Sequence, residues 1–303
     1  MKHETAGDPI KGLKWTRRTT GKIAAELGKL GINVSPNTVG RLLKQLGFSL
    51  RVNHKKRSFG SGPDRDEQFL YIADQREKFA GADNPIVSVD TKKKELVGNF
   101  KNPGAAWSKE PVVVKDHDFR SEADGIAVPY AIYDVQANRG AVYVGKSSDT
   151  AEFAVDSIER WWRKQGSRSY PNANHLLILA DGGGSNGPRN RAWKVNLQEK
   201  LCDRHGLTVT VCHYPTGASK WNPVEHRLLS EISKNWAGQP LESFDTVLNY
   251  IRTTTTATGL TVTASLMRKT YSPGVTVSDE DMSALSIHPH KIQSARNYTL
   301  LPR

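Results

Sequence analysis

The apolar positions of this chain change period partway along it, and that change divides it. Over residues 20–46 the spacing is helical. Thr20 is an N-cap candidate for a helix carrying Ile23, Ala24, Leu27 and Leu30, and Gly31 stops it. Ser35 is an N-cap for a second helix with Pro36 at its first position, where the missing N–H costs nothing. Val39, Leu42, Leu43 and Leu46 form its apolar stripe, and Gly47 follows as the stop. Two short helices joined by a tight turn predict a helix-turn-helix. Its outer face would carry Asn37, Thr38, Arg41, Lys44 and Gln45, with Arg51, Lys55, Lys56 and Arg57 on a following wing.

Ser58-Phe-Gly-Ser-Gly-Pro63 has the composition of a linker. Phe69, Ile72 and Phe79 then stripe a helix ending near Gly81. Beyond it, strands and helices alternate. Pro85–Val89 is a short buried strand ending at Asp90, and Tyr130–Val135 and Ala141–Val144 flank a glycine-containing turn as a hairpin. Glu152–Lys164 is amphipathic, with Val155, Ile158, Trp161 and Trp162 inward. His175–Ala180 is a fully apolar strand ending at Asp181. Asn190–Leu201 is helical, Leu207–His213 is another strand, and a helix starts after Asn222. This order predicts an α/β domain, a mixed sheet with helices on its faces.

Charge sharpens the division. Of a net +12, the stretch Lys11–Arg57 contributes +11: twelve Lys and Arg against Glu26 alone. A basic block beside a nearly neutral body fits a polyanion-binding module, and its paired helices point to duplex DNA. Cys202 and Cys212 form no CxxC, so neither a disulfide framework nor a zinc site is indicated. No apolar run is long enough to span a membrane, no secretory signal opens the chain, and a cytoplasmic location is expected.

Three acids carry the candidate chemistry. Asp90 and Asp181 each end an apolar strand, at the edge where α/β sheets bind ligands. Glu225 lies in Trp221-Asn-Pro-Val-Glu-His226 at a helix start. If the two strands are neighbours, the carboxylates face each other, and a divalent cation relieves their repulsion. Magnesium, a hard ion content with few carboxylates, fits such a set, and a pair of ions suits phosphodiester displacement. Each acid also has a plain structural explanation. A strand-end Asp forms turns, and Asn222-Pro-Val-Glu225 reads as a capping box.

Gly182-Gly-Gly-Ser-Asn-Gly187 formally matches a dinucleotide-binding GxGxxG. Asp181 would then oppose a pyrophosphate, and no second strand ends in an acid about twenty residues on. Pro188-Arg189 stands where a P-loop needs Lys-Ser/Thr, so the glycines are better read as letting a DNA backbone or a metal come close. His213 and His226 read as structural sooner than as DNA contacts, and Trp221 as core sooner than as a stacking platform.

Ser88-Val-Asp-Thr-Lys-Lys-Lys-Glu-Leu-Val-Gly98, Ala151-Glu-Phe-Ala-Val155, Ala180-Asp-Gly-Gly-Gly-Ser-Asn-Gly187 and Ser219-Lys-Trp-Asn-Pro-Val-Glu-His-Arg227 together resemble the ISAzo-thirteen-type insertion-sequence transposases, which are DDE enzymes similar to the Tc/mariner superfamily. The resemblance runs from about Trp15 through Asn297-Tyr-Thr299. It implies an RNase H-like five-stranded mixed sheet whose second and third strands are the hairpin. It also implies Asp90, Asp181 and Glu225 as a catalytic triad binding Mg2+ or Mn2+, with two ions expected. The implied activity is metal-dependent cleavage and strand transfer at element ends, with double-stranded DNA, both element ends and target, as partner; a homodimer is left open. Domains follow as a tail over 1–13, a helix-turn-helix region over 14–60, a linker helix over 61–84, the RNase H-like catalytic domain over 85–270 and a C-terminal extension over 271–303. Members of the family usually carry a longer N-terminal region, so a truncated copy, a wrongly placed start codon or one product of a split reading frame is expected here, and a non-catalytic DNA-binding regulator of transposition is the alternative function.

Overall fold

A computed structural model describes residues 5–8, 13–16, 18–48 and 63–303. The chain divides into two compact units, residues 1–57 and 58–303. In the first, strands β1 (Thr5–Asp8), within the stretch expected as a tail, and β2 (Leu13–Thr16), at its end, pair antiparallel. Helices α1 (Thr20–Lys29) and α2 (Pro36–Gln45) follow at the positions the pattern predicts. Thr19, not Thr20, caps α1, its hydroxyl accepting from Lys22 N–H at 3.3 Å; Thr20 is already helical. Ser35 caps α2 as expected, accepting from Thr38 N–H at 3.1 Å. Gly31 and Gly47 end the helices with φ of 79° and 80°, a conformation that costs glycine little. The expected apolar stripes are only partly covered. Ile23 and Val39 are buried, whereas Leu30 and Leu46 remain largely exposed, because two ten-residue helices offer too little facing surface to cover both.

In the second unit, α3 (Pro63–Gly81) leads into β3 (Ile86–Thr91), β4 (Glu95–Val97), β5 (Gly125–Asp134) and β6 (Arg139–Gly145). Helix α4 (Ala151–Trp161) continues through a π-helical turn, Trp162–Gly166, into the short α5 (Ser167–Ser169). Then come β7 (His175–Ala180), α6 (Arg191–Leu197) with a π-helical continuation to Asp203, and β8 (Thr208–His213). Helices α7 (Ser230–Asn235) and α8 (Phe244–Arg252), strand β9 (Thr261–Leu266), helix α9 (Asp279–Ser283) and strands β10 (Ile287–Pro289) and β11 (Asn297–Leu300) complete it.

At the sheet's centre the order is β6-β5-β3-β7-β8, with β5 antiparallel to both β3 and β6, and β3, β7 and β8 parallel. This is the RNase H-like core, with the hairpin as its second and third strands. The sheet is wider than the five strands expected, because β9 extends it beside β6, β11 and β10 extend it beside β8, and β4 pairs with β5. Within residues 271–303, Ile287–Pro289 and Asn297–Leu300 thus join the sheet, and β11 is tied in by buried polar pairs. Gln68 and Asn297 exchange side-chain amide hydrogen bonds, each 2.7 Å. Trp193 Nε1 donates to Tyr298 Oη at 2.9 Å. The same Gln68 contact makes α3 part of this unit, where Ile72 packs with Ile86, Leu177 and Leu179.

Strand residues alternate between faces. Val87, Val89, Leu176, Ile178 and Ala180 join the core formed with α4 and α6. The other face carries α3 and the helix leading into α7, where Val224, Leu228 and Ile232 pack on Ala131, Tyr133 and Val142. Cys202 and Cys212 are buried thiols and form no disulfide. No helix among the described residues is long and apolar enough to cross a membrane.

Candidate active site

The β3–β7 register pairs Val89 with Ala180, and Asp90 and Asp181 are the next residues of the two parallel strands. Main-chain hydrogen bonds along the whole strand pair thus set two acids side by side at one sheet edge. Alternation turns Asp90 to the same face as Ser88, away from Val87 and Val89. Both acids are half-buried.

Ser88 positions the third acid. Its hydroxyl donates to Asn222 Oδ1 at 2.5 Å and accepts from Val224 N–H at 2.8 Å. Asn222 Nδ2 in turn donates to Val89 O at 3.2 Å. A fully buried Ser–Asn bracket therefore clamps the start of the Glu225 helix onto β3, two residues before Asp90. This replaces the expected capping box: Asn222 spends its side chain on the strand, and the side-chain acceptor at the helix start is Ser88. Residues Glu225–Leu229 are wound as a π-helical turn before α7, a local irregularity frequent at functional sites.

The carboxyls interact. Burial pushes the Asp90 carboxyl up to about 9, helped by the charge of Asp181 and by a hydrogen bond and charge from Glu225. Burial also raises Asp181, with Glu225 and Asp149 adding to the rise against a hydrogen bond from Gly183 N–H. Asp149 is a fourth acid at this edge, accepting from Thr91 Oγ1 at 3.1 Å. Nothing in its sequence context marks it, since Asp149 precedes Thr150, the N-cap of α4, and reads as an ordinary turn residue. The donor set is all oxygen and anionic, which suits a hard divalent cation. Among the described residues no three His, Cys, Asp or Glu side chains are drawn together as a finished metal cage.

Other expected residues fall as follows. Asn37, Arg41, Lys44 and Gln45 are exposed on α2, and Thr38 is half-buried with its hydroxyl 3.0 Å from that of Ser35. Arg51, Lys55, Lys56 and Arg57 lie outside the described residues. His213 is fully buried, Nε2 2.8 Å from Asn186 O and Nδ1 2.9 Å from Arg296 O, and burial lowers its pKa to about 4. It joins the glycine turn to the C-terminal segment, as a structural residue would. His226 is exposed. Trp221 is not core: it is 55% exposed, edge-on to Phe69, with Lys220 Nζ 5.3 Å from its ring centre. In the glycine run, Gly184 alone has a φ, +63°, that favours glycine.

Solved structures that align with the chain include "Mos1 transposase paired-end complex with left transposon end", at 15% identity and a TM-score of 0.46 over 77% of this chain and 65% of that one. "Crystal structure of the mariner Mos1 paired end complex with Mg" aligns at 15% identity and 0.45, over 77% and 65%. The chain thus spans just under two thirds of the length of these structures, and it is the strand order that makes the sheet RNase H-like. No curated protein matches the chain. The family model described as "Rhodopirellula transposase DDE domain" matches residues 1–302. The chain belongs to this family of transposase DDE domains.

Proposed function

We propose that this protein is a transposase that cuts DNA strands at the ends of an insertion sequence and joins them to target DNA, with Asp90, Asp181 and Glu225 as its catalytic, metal-binding acids. The observation that carries this reading is the parallel β3–β7 register, which sets Asp90 and Asp181 level at one edge, together with the electrostatic interaction of both with Glu225. Bound Mg2+ or Mn2+ would supply activation of the attacking oxygen and stabilisation of the leaving one.

The protein's own part is positional. Register fixes Asp90 and Asp181 relative to each other, and the Ser88–Asn222 bracket brings Glu225 to them. Thr91, the residue after Asp90, donates to Asp149 and so ties a fourth carboxyl to the same strand end. The half-burial of the acids keeps their mutual repulsion strong, and with it the drive to take up a cation. Asn37, Thr38, Arg41, Lys44 and Gln45 on the exposed side of α2 are proposed to contact duplex DNA, with Arg51, Lys55, Lys56 and Arg57 adding phosphate contacts.

A nicking assay on duplex DNA carrying the inverted repeats that flank the reading frame tests this. The protein is expected to cut with Mg2+ or Mn2+ and not in chelator, and Asp181→Asn to fall to the chelated background. Binding of end DNA without cutting in either ion would contradict the catalytic reading and support a DNA-binding regulator of transposition.

A further inference from the structure

Two clefts flank the glycine turn that follows Asp181, and they differ in sign. The one lined by Lys94, Asp149 and Glu152 mixes charges. The other, about 350 Å3, is lined by Gly182, Gly183, Gly184, Thr216, Arg189 and Arg296, and no carboxyl lines it among the described residues. A third, larger groove beside β9 is also rich in bases but mixes them with Asp156, Glu159 and Asp245, and Lys200 and Lys269 there pair with Glu152 and Asp156. Of the three, the Arg189–Arg296 cleft is the one that begins at Gly182, the residue after Asp181, and carries basic side chains with no acid in its lining.

We infer that this cleft is a subsite for a phosphodiester of the strand being cut, one linkage or more from the reacting phosphate. The inference rests on the proposed transposase reading and adds to it where the substrate strand is held. Arg296 is pre-oriented, Nη1 donating to Tyr214 O at 3.1 Å and Nη2 lying 3.5 Å from Thr216 Oγ1. Its main-chain carbonyl accepts from His213 main-chain N–H at 3.1 Å, and the His213 ring Nε2 lies 2.8 Å from the Asn186 carbonyl, so the arginine and the glycine turn are held by one buried residue. Arg189 is exposed and makes no hydrogen bond or ion pair among the described residues, which leaves its planar fork available. A guanidinium fork matches two phosphate oxygens at once. The floor is glycine: a methyl at Gly182 would sit 3.6 Å from Tyr214 O and 3.7 Å from Arg296 Nη1, occupying the space between turn and arginine. Gly183 N–H is turned to Asp181 Oδ1 at 3.1 Å, so the turn that borders the cleft also orients the acid. The cleft thus begins at Gly182, one residue from Asp181.

The test measures binding by fluorescence anisotropy, with the full-length protein in chelator, on end-DNA duplexes in which each phosphate near the cut is replaced in turn by a neutral methylphosphonate. For the wild type, replacement at one or two adjacent linkages is expected to weaken binding several-fold more than elsewhere. Arg189→Ala should lose a similar factor on unmodified DNA, become insensitive to those linkages and show a salt slope lower by about one unit, as for one phosphate contact. Arg189→Lys, which keeps charge without the fork, should fall between. Arg189→Ala binding every duplex as the wild type does overturns the subsite, and so does a loss spread evenly over all linkages. No cleavage enters this readout, so a position-specific effect upholds the subsite even if cutting is never seen. Cutting with an indifferent Arg189 overturns the subsite alone, and absence of any binding to end DNA overturns both readings.

Discussion

Asp90 and Asp181 are held differently from Glu225. The two aspartates end neighbouring strands, and their relative position is written into a ladder of main-chain hydrogen bonds spanning four residue pairs. No single side chain sets it. Glu225 lies on a helix start that meets the sheet through Ser88 and Asn222, both fully buried, and the helix is wound as a π turn as it leaves the site. Two acids thus come with the fold, and the third depends on a small polar bracket. Substitutions in that bracket should disturb chemistry while the sheet survives.

The largest effect that sharpens this contrast is expected at Asn222. Asn222→Ala leaves the Ser88 hydroxyl without its acceptor and the Val89 carbonyl without that donor in a dry site. A cost of about 1–3 kcal/mol in denaturant unfolding is expected from the unsatisfied groups. Cleavage should fall about 10–100-fold, the range seen when groups that orient metal ligands are removed. Loss of stability with unchanged cleavage would show that Glu225 does not need the bracket.

A smaller effect separates the sheet from the N-terminal unit. Arg41 and Lys44 are exposed on α2, so changing both to Ala should leave thermal unfolding unchanged. The slope of log binding against log salt on duplex DNA should drop by about two units if each neutralises one phosphate. An unaltered slope would remove this helix face from the DNA interface.

The smallest expected effect is in pH. Asp90 and Asp181 are both raised on folding, so the cation-free protein holds protons that the unfolded chain releases. Its stability therefore falls as pH climbs from the ordinary carboxylate range near about 4 toward the Asp90 value of about 9. Divalent cation binding displaces those protons. The rise in melting temperature caused by Mg2+ should thus be a few degrees larger at about pH 8.5 than at about pH 5.5. Equal shifts at both would contradict cation binding at these acids.

Much of the central sheet was legible in the sequence because its strands are apolar on both faces and end in single acids. His-Leu-Leu-Ile-Leu-Ala before Asp181 has no other sensible reading, and the α2 signals, Ser35-Pro36 and Gly47, are all local. What was missed depends on distant partners. Thr261–Leu266 alternates exposed Thr with buried Val262 and Ala264, yet only pairing beside β6 makes it a strand. Strand β11 is short, and its place is fixed by Val209–Cys212, some ninety residues away in the chain. Asn222 matched a capping box by spacing, and the buried hydroxyl of Ser88, remote in sequence, outcompeted that local use. Asp149 came to the site through Thr91 with no signal of its own. The apolar stripes of the paired helices predicted more burial than Leu30 and Leu46 show, since stripe position says nothing about whether a partner exists to cover it.

Cleavage by Glu225→Gln tests most directly whether the three acids act together as metal ligands. Gln keeps the shape of the side chain and the Ser88–Asn222 bracket untouched, but is a neutral and much poorer ligand for a hard cation. With end DNA and Mg2+ in single turnover, the wild type is expected to cut, Glu225→Gln to fall to the chelated background, and the melting temperatures of the two to agree closely. Equal cutting by the two proteins would contradict that role, leaving Glu225 as part of a helix start and no more.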